Sequence, residues 1–327
     1  MFIEENDISK AANGGTEISK RSLGARVDQE LAKDFQIIPS RIRELQEKKI
    51  RVYWAHDLPE DPEVAKLNRD LFHKIVFSSN WQMNEFLLKL GHPWDDKNMV
   101  IETPLDPLDY QKKDFTDGVN LVYFSTPQRG LNLLFPIVDE LSKHHKIKLH
   151  VFSSFKIYGW EDPPEYKSLF GDIAKHPHMV YHGAVDQETL RAFLVKDAHV
   201  LAYPCTWKET SCRVLFEAMS AGLMCVHPNL GALPDTSGGL TTMYQFNADP
   251  NIHAHMHYAY LAHAVQAVTS DQAQAYLRFV KEYADVRFDI RKTTDQWNGL
   301  MRDLLDKYPT IESRKFPIQQ AMFHYKV

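Results

Sequence analysis

His199-Val-Leu-Ala-Tyr-Pro-Cys-Thr-Trp-Lys-Glu209-Thr-Ser-Cys-Arg-Val-Leu-Phe-Glu217-Ala-Met-Ser-Ala-Gly222 is the stretch on which the reading of this chain turns. Residues 199–203 form the apolar run of a buried strand, 204–208 a loop, and 211–221 carries the spacing of an apolar helix ending at Gly222. A strand passed into a helix by a polar loop is a repeating piece of a parallel α/β sheet. Glu209 falls where the helix should begin, a position that favours an anion, so it would serve as a cap. Glu217 lies inside the helix among Leu215, Phe216, Ala218, Met219 and Ala221. An unpaired buried carboxylate costs on the order of several kcal/mol, so Glu217 needs a partner. Arg213, four residues earlier, offers an intrahelical pair, but that charge order is the poorer one and is worth roughly a few tenths of a kcal/mol. A polyhydroxylated ligand is the other candidate.

The alternation of short β-rich runs and helical stretches extends both ways from this segment. Upstream it predicts strands at 35–38, 50–55, 74–78 and 99–102, and helices at 17–33 and 80–90. The second helix is capped by Asn80 and stopped by Gly91. Pro104, Pro107 and the polar residues 109–118 then break the pattern. Downstream, strands are expected at 119–124, 148–153, 179–181, 199–203 and 223–227. Helices are expected at 131–144, 187–195 and 211–221, followed by a helix-rich stretch over 252–307. The expected fold is α/β: two facing doubly wound parallel-sheet domains, 1–108 and 119–310, joined by a linker at 109–118. A tail, 311–327, is placed to cross back to the first domain. Ligands in such folds bind outside the carboxyl ends of the strands, here in the cleft between the domains.

Composition narrows the class. The 327 residues are 44% hydrophobic and 25% charged, the balance of a soluble globular chain. No apolar run approaches the ~18 residues of a membrane span. The start, Met1-Phe-Ile-Glu-Glu-Asn-Asp7, lacks the features of a signal peptide. Cys205, Cys212 and Cys225 form no paired motif, which suits reduced thiols, so a cytoplasmic location is expected, or a host cytoplasm if the chain is viral. The net charge of −5 argues against a surface wholly devoted to nucleic acid. Between Lys20 and Arg51, however, nine basic residues face five acidic ones, either a solvated helix face or a docking surface for an anion.

The loops after the strands carry the remaining candidates. Ser125-Thr-Pro-Gln-Arg-Gly130 leads into a helix whose free N–H groups suit phosphate, with Arg129 adding a fork of donors. Alternatively, Arg129 is a surface turn residue. Asn13-Gly-Gly-Thr-Glu17 precedes another helix, and Gly14 and Gly15 let backbone approach a ligand closely, although Asn-Gly is also an ordinary turn. His56 follows a strand and so faces the cleft, or is a satisfied structural histidine. His253 and His257 share a helix face but lack the carboxylate of a metalloprotease pattern, so they read as a solvated face rather than a metal site.

With these residues in place, the segment 203–235 resembles the donor-binding core of the retaining GT-B glycosyltransferases of family 4, whose hallmark is Glu-x7-Glu. The likeness rests on Pro204, Glu209, Glu217-Ala-Met219, Gly222 and Leu230-Gly-Ala-Leu-Pro-Asp235. Gly14-Gly-Thr-Glu17, Arg129-Gly130, His182-Gly183 and Thr103–Asp106 fall in the family's order. The resemblance implies a nucleotide-sugar donor, UDP by default, with no cofactor and no divalent metal. It implies that Glu217 holds ribose hydroxyls, and that Glu209 holds the transferred sugar with the N–H groups of Thr210, Ser211 and Cys212. By the same resemblance Arg129 and Ser125 hold the diphosphate, and Gly14 and Gly15 close over it. His56 would lie near sugar and acceptor, and His182, Gly183 and Val185 would contact the base. Three departures from the pattern stand out: Cys212 where glycine is usual, Phe124 where a second diphosphate cation is usual, and a short first domain. The expected activity is retaining sugar transfer to an acceptor hydroxyl, of a glycan in the first reading. The alternatives are a phage enzyme acting on hydroxymethylated bases in DNA, and a non-catalytic nucleotide-sugar-binding protein.

Overall fold

A computed structural model describes Phe2, Ile3 and residues 14–316. Most of the acidic start, Asn13 of the glycine loop and residues 317–327 of the tail lie outside the described residues.

The first domain opens with α1 (Gly15–Gly24) and α2 (Gln29–Ala32). One helix was expected over 17–33. It breaks because Asp28 accepts from the N–H groups of Glu30 and Leu31 and so starts a new turn. Four parallel strands follow, in spatial order β1 (Phe35–Pro39), β2 (Ile50–Trp54), β3 (Lys74–Phe77) and β4 (Asn98–Val100). Between β3 and β4 runs α3 (Asn80–Leu90). Its cap is Ser79 rather than Asn80, the Ser79 hydroxyl accepting from the Gln82 N–H at 3.0 Å. Gly91 ends it in the left-handed region.

The second domain has six parallel strands, order β10-β9-β8-β5-β6-β7. In chain order they and their helices are β5 (Val119–Tyr123), α4 (Leu134–Ser142), β6 (Ile147–Val151), α5 (Pro164–Lys175), β7 (Met179–Tyr181), α6 (Gln187–Lys196), β8 (Val200–Ala202), α7 (Arg213–Ser220), β9 (Met224–Pro228), α8 (Leu233–Ser237), β10 (Thr242–Tyr244), α9 (Pro250–Ala267) and α10 (Asp271–Arg287). Switching order between β5 and β8 opens the crevice where a doubly wound sheet takes its ligand. Three elements, α5, α8 and β10, go beyond what the sequence pattern predicts.

The chain crosses between the sheets at two adjacent points. Leu105 donates its N–H to the Phe288 carbonyl at 2.7 Å and accepts from Ile290 at 2.9 Å. The last helix, α11 (Ile290–Lys307), was assigned to the second domain. It packs instead in the first domain's core, where Trp297, Met301 and Leu304 meet Phe2, Trp54 and Ile50. Beyond it Arg314 pairs with Asp34 at 2.7 Å, and its carbonyl oxygen is hydrogen-bonded to His73 Nε2 at 3.1 Å. The expected linker is not a loose tether: Lys113 is buried and donates to the Leu194 and Val195 carbonyls, and burial lowers its pKa to about 7. His253 and His257, expected on a solvated face, are buried against the Tyr244 hydroxyl at 3.3 and 3.1 Å.

Candidate active site

The carboxyl ends of β2, β5, β6, β7 and β8 point at a cleft of about 950 Å³ between the sheets. The loop after β8 supplies Glu209. The structure starts α7 at Arg213, so Glu209 is not its cap but a loop residue, 6% exposed. Its Oε1 accepts from Arg129 Nη1 at 2.7 Å and from the Tyr203 hydroxyl at 2.6 Å. Gly231 (φ +61) lies under this loop; a Cβ there would fall 2.6 Å from the Glu209 nitrogen. Ala232 also donates to the Glu209 carbonyl at 2.8 Å.

Arg129 arrives from the loop after β5, where a 3₁₀ turn (Pro127–Arg129) closes on Gly130 at φ +96. A Cβ on Gly130 would sit 2.0 Å from the Pro204 carbonyl oxygen, so only glycine lets the two loops touch. The helix expected directly after Gly130 begins as a second 3₁₀ turn and becomes α4 at Leu134.

Glu217, 3% exposed, accepts from Arg213 Nε at 3.0 Å, and Arg213 Nη1 reaches the Pro104 carbonyl at 3.0 Å. The intrahelical pair that counted as the poorer alternative therefore forms, and it is tied to the interdomain crossing as well. Glu217 still lines the cleft. Each carboxylate is bonded through Oε1, the oxygen that also meets its guanidinium.

The first domain braces the Glu209 loop. The Ser79 hydroxyl donates to the Thr210 carbonyl at 2.6 Å, and the Thr210 hydroxyl donates to the His56 carbonyl at 2.9 Å. The Cys212 N–H leans on the Thr236 hydroxyl at 3.5 Å. Gly14 and Gly15 open α1 at the cleft; a Cβ on Gly14 would lie 2.5 Å from the Tyr158 ring. His56 packs on Trp54 at 4.2 Å between ring centres, and burial, reinforced by Lys20, lowers its pKa to about 3.

Of the expected site residues, Gly14, Gly15, His56, Ser125 and Arg129 line this cleft, as do Gly183, Val185, Glu209, Thr210, Ser211, Cys212 and Glu217. His182 does not. Its ring stacks on Phe152 at 4.1 Å and its Nε2 lies 3.0 Å from His150 Nδ1, so it supports the cleft wall from behind. Residues the sequence reading missed include Tyr203 under Glu209, Thr126, and the cleft-lining Tyr158, Trp160 and Trp207. Trp207 stands in the opening stretch itself, and its place two residues before Glu209 was the available signal.

Four polar atoms on cleft-lining residues are buried without a partner among the described residues: Thr126 Oγ1, Arg129 Nε, His56 Nε2 and Gln187 Oε1. Unsatisfied buried groups cost about 1–3 kcal/mol each, which a polar ligand would recover. The basic run 20–51 is different. Lys20 pairs with Glu17, Arg26 with Asp106, Lys33 with Glu30 and Arg41 with Asp61, while Arg51 is buried over Phe316. Its charge is largely spent inside the molecule. Among the described residues no group of three or more metal-binding side chains gathers, and no helix is long and apolar enough to cross a membrane.

Two parallel-sheet domains facing a cleft, with the cleft lined by the loops after the strands, define the GT-B class. Residues 120–278, most of the second domain, match the family described as glycosyl transferases group 1. No curated protein matches the sequence. Solved structures share the fold. S. aureus TarM superposes with a TM-score of 0.60 at 13% identity, over 88% of this chain and 58% of its own. The pneumococcal O-GlcNAc transferase GtfA, solved with UDP and GlcNAc, gives 0.59 at 11% identity over 88% and 60%. A Rickettsia africae glycosyltransferase gives 0.62 at 13% identity over 92% and 84%. This chain thus spans about three fifths of TarM and of GtfA.

Proposed function

We propose that this protein is a retaining glycosyltransferase that moves a sugar from a UDP-sugar to a hydroxyl of an acceptor glycan. The observation that carries the proposal is Glu209 and Glu217 opening on one cleft beside Arg129, whose Nε lacks a partner. In this reading the free oxygen of Glu217 takes ribose hydroxyls and that of Glu209 takes hydroxyls of the transferred sugar. Arg129 and the N–H groups at the start of α1 receive the diphosphate. UDP as the nucleotide is supported by the complex that defines GtfA.

The transfer forms a bond from the acceptor oxygen to the anomeric carbon on the face from which the diphosphate leaves. The bond between the anomeric carbon and the diphosphate oxygen breaks, and the acceptor proton passes to that departing oxygen. The products are UDP and a glycoside of unchanged anomeric configuration. No side chain needs to form a covalent intermediate; the protein positions the partners and offsets charge on the leaving group. His56, kept neutral by its low pKa, offers Nε2 to a sugar hydroxyl rather than serving as a base at neutral pH. Arg129 takes the place of a divalent metal here, so turnover is expected to survive EDTA.

The test is UDP release from a panel of UDP-sugars, with Glu217→Ala as control. Losing two hydroxyl contacts to a carboxylate should lower turnover about a hundredfold or more. Unchanged turnover in a folded Glu217→Ala protein removes the assignment. UDP binding with no turnover of any donor, with or without acceptor, moves the reading to a non-catalytic binder.

A further inference from the structure

The mouth of the cleft on the first domain's side is built from the loop after β2, which brings Asp57, Glu60 and Asp61 to its lining. The cations around these carboxylates are engaged. Arg41 holds Asp61 with two bonds, at 2.6 and 2.9 Å, and lies 3.6 Å from Asp57. Lys89 and Lys208 flank Glu60 at 3.0 and 3.8 Å. A phosphate-bearing polymer is bound by lysines and arginines that release small counterions. Here it would have to strip guanidiniums and ammoniums from carboxylates and leave those carboxylates facing its own charge. That is the wrong electrostatics for nucleic acid or any polyanion.

The same mouth suits hydroxyl groups, since an ionised carboxylate is a strong acceptor for O–H donors. It also carries a flat apolar face. Trp207 lines the cleft, is 48% exposed, and sits beside Lys208, whose ion pair with Glu60 draws this loop against the carboxylate rim. An indole gives an apolar face of fixed geometry at small entropic cost, matching the C–H face of a sugar ring.

We propose that the acceptor is an uncharged glycan, one sugar ring of which lies flat on Trp207 while its hydroxyls donate to the carboxylate of Asp57. The proposal rests on the glycosyltransferase reading above and adds the acceptor's charge class and its platform. The group that reacts is a hydroxyl of this glycan, and its bonds and proton follow the transfer already written.

The experiment measures UDP release from the best UDP-sugar, first with water alone and then with three acceptor sets. These are neutral oligosaccharides of glucose, galactose, mannose and N-acetylglucosamine; sulfated or uronic-acid oligosaccharides; and duplex DNA containing hydroxymethylated bases. Neutral members should stimulate release and the anionic sets should not. Trp207→Ala should raise the acceptor KM by about tenfold, the size of one lost aromatic contact, with little change in kcat, and Trp207→Phe should recover most of it. The UDP-induced rise in melting temperature should persist in both variants and reports that they fold. Stimulation by DNA or by anionic oligosaccharides overturns the proposal, as does donor hydrolysis that no neutral glycan stimulates. An acceptor KM unmoved by Trp207→Ala overturns the platform. Failure to bind UDP or turn over any donor falls instead on the glycosyltransferase reading itself.

Discussion

Arg129→Met separates the structural from the ligand-binding part of the Arg129–Glu209 pair. The two side chains are 21% and 7% exposed and their nearest atoms are 2.7 Å apart, so this is a buried pair. Removing one partner of such a pair costs about 3–5 kcal/mol, because the other charge stays behind in a poor medium. Here the Tyr203 hydroxyl stays on the same carboxylate oxygen at 2.6 Å and keeps it hydrogen-bonded, which holds the loss at or just below the low end of that range. The expected net loss is therefore about 2–3 kcal/mol, or roughly 5–10 °C in melting temperature for a domain of this size. Glu209→Gln removes the charge from the other side and strands a guanidinium whose Nε already lacks a partner. The double variant removes both charges, so its loss should fall short of the sum of the single losses by about 1 kcal/mol or more. The assay is thermal unfolding of the four proteins at one scan rate, with and without UDP. UDP should raise the melting temperature of the parent and not that of Arg129→Met. Additive losses, or a drop below about 2 °C for Arg129→Met, would refute the buried-pair argument. A full UDP response in Arg129→Met would refute its role at the diphosphate.

Gly130→Ala places a Cβ about where the Pro204 carbonyl oxygen stands, at a backbone angle that L-residues avoid. It should cost roughly 3 kcal/mol or more and shift the Arg129 loop, read as a lower melting temperature and a weakened UDP response. Histidine burial makes stability fall with acid. Burial lowers the pKa of His227 to about 4, and the fold therefore binds fewer protons than the unfolded chain between about pH 6.5 and 4. That stability is fully present above about pH 6.5 and is lost as pH falls toward 4, amounting to about 2 kcal/mol at pH 5 for this one residue. His73, His150 and His199 shift the same way. Melting temperature should fall between pH 7 and 5, and His227→Gln should flatten part of that fall. His56, with a pKa near 3, should leave no limb in the pH–rate profile between pH 5 and 8; an inflection that disappears in His56→Gln would contradict its neutral role.

Much of the site was legible because it sits at strand ends, and strands announce themselves through runs such as Val119–Tyr123 and Val200–Ala202. A doubly wound fold then sends the residues after each run to one crevice. That logic placed Glu209, Glu217, Arg129 and His56 at the cleft. It failed for His182, which also follows a strand, because a strand end sets where a backbone goes and not which way a ring turns. Here Phe152 and His150 offer His182 a stacked, hydrogen-bonded pocket behind the wall. It failed too for His253 and His257, whose spacing shows a shared face but not that Tyr244 covers it.

By itself the sequence determined the alternation of strands and helices, the parallel α/β class, and the placement of two glutamates after one strand. These are local matters: periodicity, capping and turn chemistry act over a few residues. Only the tertiary structure decided that α11 belongs to the first core, that Arg213 does hold Glu217, and that Glu209 is gripped by Tyr203 and Arg129 from below. An amphipathic helix shows that it has an apolar face without naming what will cover it, and a carboxylate's partners depend on chain brought from far along the sequence. The Glu209–Arg129 pair joins residues 80 apart, and the Thr210–His56 bond that braces it joins residues 154 apart. Such contacts exist only once both sheets have formed and the chain has crossed between them.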